Sequence, residues 1–343
     1  MSERRRRVTI NDVAALAGVS KGAVSRSFNG ASRLPESTVK RIHDAAEQLG
    51  WRPNAAARAI QGAPARTIGF VVRRDPALLG SDPFFPLFLA GVERVLSAHA
   101  YGITIRFVTS EEEETRCYRD WVAESRVDGV IVSDLRDGDP RFALLDELDL
   151  PGVIVGDPGR AVSQPAVYHT TDASIRELVD GWVQRGHTRI AHVTGDPNLR
   201  HALRRRAIWA DALATHGLSS DLFETGWFTE DGAKVATRAL LAAAEPPTAI
   251  FYANDIMAAA GMGVLADAGR TVGGDIAVAG FDGIPLAQYL SPPLATIVCD
   301  FDELGDVVGR ELMTLLSTGG SVPPVTTLDG RFLPRASYEL RAE

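Results

Sequence analysis

The sequence predicts a small all-α head followed by a larger α/β body of doubly wound parallel sheets. The head is predicted by two short apolar-periodic runs near the start, separated by Gly18-Val19-Ser20. The body is predicted from Thr67 onward, where short β-branched runs alternate with helical stretches. Charge divides at the same place. Residues 1–62 carry 11 Lys and Arg against 5 Asp and Glu, and the remainder carries 25 against 39. A basic head on an acidic body points to a polyanion that meets the head alone.

In the head, Thr9 with Asp12 makes a capping-box-like start for the first helix. Ile10, Val13, Ala14 and Ala17 then share one face. Gly18 suits the positive φ that ends a helix, and Ser20 can cap the next one, whose inner face is Val24 and Phe28. This spacing matches a helix-turn-helix. A third amphipathic helix starts near Glu36, with Val39, Ile42, Ala46 and Leu49 inward. If the second helix enters a major groove, its outward residues are Lys21, Ala23, Ser25 and Arg26, with Gly22 allowing close approach. Arg26 is then the first candidate for a base contact and Ser20 for a phosphate. The same pattern also fits an ordinary helical hairpin with a solvated basic face. Arg4 to Arg7 read as a solvated tail that adds salt-dependent phosphate attraction.

In the body, strands are expected at 67–72, 102–108, 128–133, 151–156, 189–195, 248–253, 275–281 and 295–299. Helical runs at 85–100, 172–185 and 230–244 lie between them. So many units exceed one compact sheet, so two lobes are expected. In open α/β sheets ligands sit beyond the carboxyl ends of the strands. Those ends carry Asp82-Pro83-Phe84-Phe85, Gly156-Asp157, Gly195-Asp196, Asn254-Asp255, Asp282 and Cys299-Asp300, with Phe228 in the segment "GWF". Aromatic faces with Asn, Asp and Arg suit a polyhydroxylated ligand. Plainer roles stand beside these: Asp255 as a helix cap, Asp157 and Asp196 as turn residues, Phe85 as core.

Several classes are excluded. At 343 residues the chain is long enough for two or three domains, and no apolar run approaches a membrane span. Asn11 and Asp12 interrupt any signal-like apolar core behind the basic start, so a cytoplasmic protein is expected. Cys117 and Cys299 form no Cys-x-x-Cys pair and read as two small thiols at least half-buried. His187 and His192, five residues apart, make a poor metal pair. With no phosphate loop and no G-x-S-x-G elbow, neither cofactor nor catalysis is expected.

The stretch "VTINDVAALAGVSKGAVSRSFNG" resembles the N-terminal signature of the LacI/GalR family of bacterial transcriptional repressors, and "VKRIHDAAEQLGWRPNAAARAIQG" resembles its third helix and hinge. The resemblance runs on through nearly all of the chain. It implies a helix-turn-helix domain at 1–52, a hinge helix or linker at 53–65, and a periplasmic-binding-protein-like, two-lobed effector-binding and dimerisation domain at 66–343. Crossings between the lobes are then expected near 165–171, 293–300 and 320–325. The implied function is a sequence-specific transcriptional regulator, usually a repressor. A homodimer would bind near-palindromic operator DNA under the control of a small-molecule effector. That effector is a sugar, with a nucleoside or phosphorylated metabolite as alternatives. In the family the hinge becomes a helix on DNA and two such helices open the minor groove. Pro53 suits the helix start, Asn54 and Ala57 lie on its small face, and Ile60 stands where the family usually has a Leu wedge. Packing of Ile60 on the body is the alternative. Pro35 replaces the usual Ser or Thr cap of the third helix. The candidate DNA contacts are Thr9, Ser20, Lys21, Gly22, Ala23, Ser25, Arg26, Asn29, Asn54, Ala57 and Ile60.

For the effector, matching on Trp209 selects Arg205, "YANDIMAAAG" selects Asn254, "GFDG" selects Asp282 and "GWFTEDG" selects Phe228 as the stacking ring. Phe84 and Phe85 occupy the first-lobe aromatic positions. The family's frequent acid after the fourth strand is Gly156 here, with Asp157 one place later, and Cys299 stands where a polar side chain is common. With no apolar heptad after "FLPRASYELRAE", a dimer is expected and not a tetramer.

Overall fold

The computed structural model describes residues 8–28, 34–51, 64–74, 76, 80, 82–318 and 324–339. The chain forms two compact units, one of Met1–Arg66 with Ala123–Asp128, the other of Thr67–Val122 with Gly129–Glu343.

In the first unit, α1 (Ile10–Ala17), α2 (Lys21–Phe28) and α3 (Glu36–Gln48) enclose a small core of Val13, Ala14, Ala17, Val24, Ile42, Ala45 and Ala46. The Thr9 backbone N–H donates to the Asp12 carboxylate at 2.8 Å, so the expected capping box forms. Gly18 ends α1 at φ 64°, the left-handed region open to glycine. Ser20 Oγ accepts the Ala23 N–H at 3.2 Å and thereby caps α2. Phe28 stacks on His43 at 4.5 Å and meets the edge of Trp51 at 5.4 Å, which closes the open end of the core.

The second unit holds two six-stranded sheets. The first sheet uses β1 (Thr67–Val72), β2 (Gly102–Phe107), β3 (Gly129–Val132), β4 (Gly152–Val155), β5 (Ala166–Thr170) and β11 (Val325–Asp329), in the order β11-β5-β4-β3-β1-β2, all parallel. Its helices are α4 (Phe84–Ala98), α5 (Glu111–Ala123), α6 (Arg141–Glu147) and α11 (Phe301–Thr318). The second sheet uses β6 (Ile190–Thr194), β7 (Phe223–Thr225), β8 (Ala249–Tyr252), β9 (Ala277–Asp282), β10 (Ala295–Val298) and β12 (Arg331–Leu333), in the order β12-β10-β9-β8-β6-β7. There only β12 is antiparallel to its neighbour. Its helices are α7 (Asp172–Gln184), α8 (Arg200–Thr215), α9 (Glu230–Leu241) and α10 (Asp255–Asp267).

All eight expected strands form, with ends shifted by no more than two residues. They read clearly because β3, β4, β6, β8 and β9 are buried along their whole length, so both faces select apolar residues. The chain crosses between the lobes after β5, after β10, and at Gly330 between β11 and β12. The first two crossings lie where expected. The third is a correction: residues 325–329 are still a strand of the first lobe, and the crossing follows them. In the first lobe α11 lies directly along α4. A Cβ at Gly91 would meet the Asp302 carbonyl at 2.0 Å, and one at Gly305 would meet that of Phe88 at 2.1 Å.

Candidate functional site

In the head, Lys21, Gly22 and Arg26 are exposed on α2, Ser20 is exposed at its start, Ser25 is half-buried, and Thr9 is exposed before α1. Ala23 is a correction. It is only 6% exposed and faces inward beside Val24; a turn of 3.6 residues sets the two just 100° apart on the buried side. Its methyl is therefore not an outward contact. Asn29, Asn54, Ala57 and Ile60, with Arg4 to Arg7 and nearly all of the hinge, lie outside the described residues.

In the body, a cavity of about 180 Å3 opens between the two lobes at the carboxyl ends of their strands. It brings together six of the seven expected effector residues: Phe84, Asp157, Arg205, Phe228, Asn254 and Asp282. Phe85 is the exception and a correction. It is 1% exposed and packs against Phe70 in the first-lobe core, 6.4 Å between ring centroids. Successive residues of α4 point about 100° apart, and here Phe84 takes the cavity side while Phe85 turns into the core.

Each wall is fixed by local chemistry. Phe228 sits at φ 59°, and its ring lies flat on Gly195, where a Cβ would come within 2.0 Å of it. The ring is flanked by His201 at 5.2 Å, by the Arg74 guanidinium at 5.7 Å and by that of Arg205 at 6.0 Å. Arg205 stacks at 3.5 Å over Phe281 and donates to the Ala253 carbonyl at 2.7 Å. Asn254 caps α10 by accepting the Met257 N–H at 2.8 Å. That cap was expected of Asp255, so this too is a correction. The buried Asp255 instead accepts the N–H groups of Gly283 and Ile284, both at 2.9 Å, and the Thr296 hydroxyl at 2.6 Å. It thereby holds the turn that follows Asp282, whose own φ is 111°.

Burial holds the Asp282 carboxyl well above the usual carboxylate range and lowers the Arg205 guanidinium, although each partly offsets the shift of the other. Burial likewise lowers His201 to about 3 and His169 to about 4, so both imidazoles are neutral at neutral pH.

Several cavity groups went unread in the sequence, Arg74, Asp134, His201 and His169 among them. Arg74 follows β1 and grips Asp134, after β3, through Nε at 2.6 Å and through Nη2 on the other oxygen. It also reaches Asp82 at 3.3 Å. Burial works to raise Asp134, but the Arg74 charge and hydrogen bonds outweigh it and the carboxyl is held low. His201 lies one turn before Arg205 on the same face of α8, and His169 lies on β5. The strand-end rule would have found Arg74 and Asp134, and helix spacing would have found His201.

A second row on α8 ties the lobes together. The Arg200 N–H donates to the Leu135 carbonyl at 2.8 Å, its Nε to the Asp157 carbonyl at 3.2 Å, and its Nη1 to the Asp137 carboxylate. Arg204 holds Asp172 at 3.1 and 2.9 Å while its Nη1 reaches Asp157 across the cleft. Among the described residues no group of three or more His, Cys, Asp or Glu could hold a metal, and no helix is long and apolar enough to cross a membrane.

Residues 9–54 match the family described as bacterial regulatory proteins, lacI family, and residues 179–338 match the periplasmic binding protein-like domain. The HTH-type transcriptional regulator CelR of Thermobifida fusca is 33% identical over 330 residues, covering 94% of this chain and 96% of CelR. The HTH-type transcriptional repressor PurR of Vibrio atlanticus is 32% identical, with 84% of this chain and 86% of that protein covered. Among solved structures, a CelR–cellobiose complex is 30% identical with a TM-score of 0.74, covering 96% of this chain and all of that one. The lac repressor dimer bound to operator and the anti-inducer ONPF is 25% identical with a TM-score of 0.85, covering 97% and all.

Proposed function

The chain belongs to the lacI family of bacterial regulatory proteins, and from that membership we propose that it represses transcription as a homodimer on a near-palindromic operator, with a sugar as its effector. It is an effector-controlled, DNA-binding transcriptional regulator. The observation that carries the effector reading is the convergence of Arg205, Asn254 and Asp282, from α8, the start of α10 and the end of β9, beside the Phe228 ring. One aromatic face with donors and acceptors on its rim suits a sugar ring, whose C–H face stacks while its hydroxyls both donate and accept. The CelR relative was solved with cellobiose, which makes that disaccharide the first probe. On the DNA side the reading rests on the exposed Lys21, Gly22 and Arg26 of α2 behind the capped turn at Ser20. The chain works on chromosomal DNA in the cytoplasm, and the cleft binds its ligand without turning it over.

The effector closes one lobe on the other and changes the spacing of the paired hinge segments at 53–65, which selects between two states of different operator affinity. Selection from random duplexes with the full-length protein tests this. One near-palindromic sequence should emerge, and a sugar should change its affinity. In Asp282→Ala the response to sugar should vanish while operator binding persists. Equal binding to all sequences at low salt would refute the DNA reading, and an unchanged response in Asp282→Ala would remove that residue from the effector site.

A further inference from the structure

Resting on the reading of the cleft as an effector site, we propose that it admits uncharged carbohydrate and rejects the anionic forms of the same sugars, the phosphates and uronates. Four arginines line the cavity, which at first sight suggests an anion. Three of them already hold carboxylates supplied by the chain itself. Arg74 presents its two-pronged edge to Asp134 and its remaining nitrogen to Asp82. Arg204 holds Asp172 along one edge and Asp157 with the other nitrogen. Arg200 is held by the Asp137 carboxylate and the Asp157 carbonyl. These are the paired N–H edges that a phosphate or carboxylate ligand would require.

The fourth, Arg205, makes one hydrogen bond among the described residues, to the Ala253 carbonyl. An anion drawn to it meets Asp282 and Asp82, whose charges act on the same guanidinium. Four guanidinium groups thus face six aspartates, at 82, 134, 137, 157, 172 and 282. Even with Asp82 and Asp282 protonated, as burial favours, the named groups balance at four against four. No net positive charge remains to offset the loss of hydration of a buried anion.

The groups left for a ligand are of mixed kind. Arg205 offers donors. The Asn254 amide nitrogen is a donor whose companion oxygen caps α10. Asp282 offers a carboxyl, and His169 Nε2 is buried and makes no hydrogen bond. A hydroxyl, donor and acceptor at once, can meet every one of them; a phosphate, an acceptor alone, leaves the acceptors unmet. The aromatic lining offers a sugar ring apolar faces on which its C–H groups can stack. Phe84 stacks on Phe88 at 5.1 Å and Phe228 lies on Gly195, so each already has one face covered by the protein.

Titration calorimetry on the full-length protein tests the proposal with matched pairs at fixed ionic strength: cellobiose and cellobionate, glucose and glucose 6-phosphate, galactose and galacturonate, with adenine and guanine alongside. At least one neutral sugar should bind, with its anionic partner weaker by about 100-fold. An anionic member binding as tightly as its neutral partner overturns the proposal. So does a base binding more tightly than every sugar, and so does a panel in which no neutral sugar binds. Operator selection without ligand is independent of all these outcomes, so the regulator reading stands or falls separately.

Discussion

Asp255→Asn isolates the charge of one buried carboxyl while keeping its hydrogen bonds. Asp255 is 1% exposed. Burial pushes it up to about 7, against the pull of its three hydrogen-bond donors. In an unfolded chain the same group titrates near 3.9. Between about pH 4 and 7 the folded state therefore holds a proton that the unfolded state has released, so stability falls as pH rises through that window and levels off above it. At 1.36 kcal/mol per pH unit, the span from about 3.9 to about 7 sets a ceiling near 4 kcal/mol. In the Asn variant the side-chain oxygen still accepts from Gly283 and Ile284, and its amide can donate to the Thr296 hydroxyl. The variant should be more stable than the wild type by about 1–4 kcal/mol at pH 8, and the difference should shrink toward zero near pH 4. Urea unfolding followed by tryptophan fluorescence at pH 5, 6, 7 and 8 measures it. Wild type and variant with the same pH slope, or a variant less stable at pH 8, would refute the reasoning.

Three other variants probe separate parts. Gly195→Ala should lift the Phe228 ring, since the new Cβ falls 2.0 Å from its Cζ; sugar affinity measured by calorimetry should drop at least about tenfold while effector-free operator binding holds. The double variant Arg200→Ala/Arg204→Ala should lengthen the distance between spin labels on α6 and α9. Raising salt to about 1 M should do the same in the wild type, because Arg204 and Asp137 are 47% and 69% exposed and so open to screening. Arg26→Ala should cost about 1–3 kcal/mol on the selected operator and relax one position in each half-site; equal losses on operator and random DNA would show a phosphate contact instead.

Most strands that the sequence revealed are buried on both faces, where every position selects apolar residues; the edge strand β2 was legible from its β-branched run instead. Of those it concealed, β7, β11 and β12 are edges and β5 lies one place inside an edge. β7 is three residues long, β11 and β12 alternate or are mostly half-exposed, and β5 turns polar where it meets the cavity at Tyr168 and His169. Within the site, Asp157, Asn254 and Asp282 were readable because the strand-end rule is local. The exchange of roles between Asn254 and Asp255 was not. Either can cap a helix, and the choice is set by Gly283, Ile284 and Thr296, which lie 28, 29 and 41 residues away. Ala23 and Phe85 show the limit of periodicity: a small alanine gives no facing signal, and adjacent phenylalanines do not say which one turns inward. The contacts of Arg200 and Arg204 escaped for a related reason, since a run of arginines on a helix reads as a solvated face until its partners on the opposite lobe are known.

The cavity and the crossings between lobes are built from the same residues, and this bears on how ligand occupancy could move the lobes. Thr171 follows the first crossing strand and Cys299 the second, and both line the cavity. At the third crossing the Gly330 N–H donates to the Thr170 carbonyl at 2.9 Å, and its carbonyl accepts the Ser174 hydroxyl at 2.8 Å. A Cβ at Gly330 would come within 2.6 Å of Thr171 and 3.5 Å of the Cys299 sulfur. Three segments packed this tightly cannot bend independently, so rotation of one lobe against the other must pivot about them together. The cross-lobe contacts of Arg200 and Arg204 sit on α8, and Arg204 also holds Asp172, the residue after Thr171. A ligand held between Arg205 on α8 and the first-lobe wall therefore adds contacts across the same cleft that Arg200 and Arg204 already bridge, and so biases the angle between the lobes.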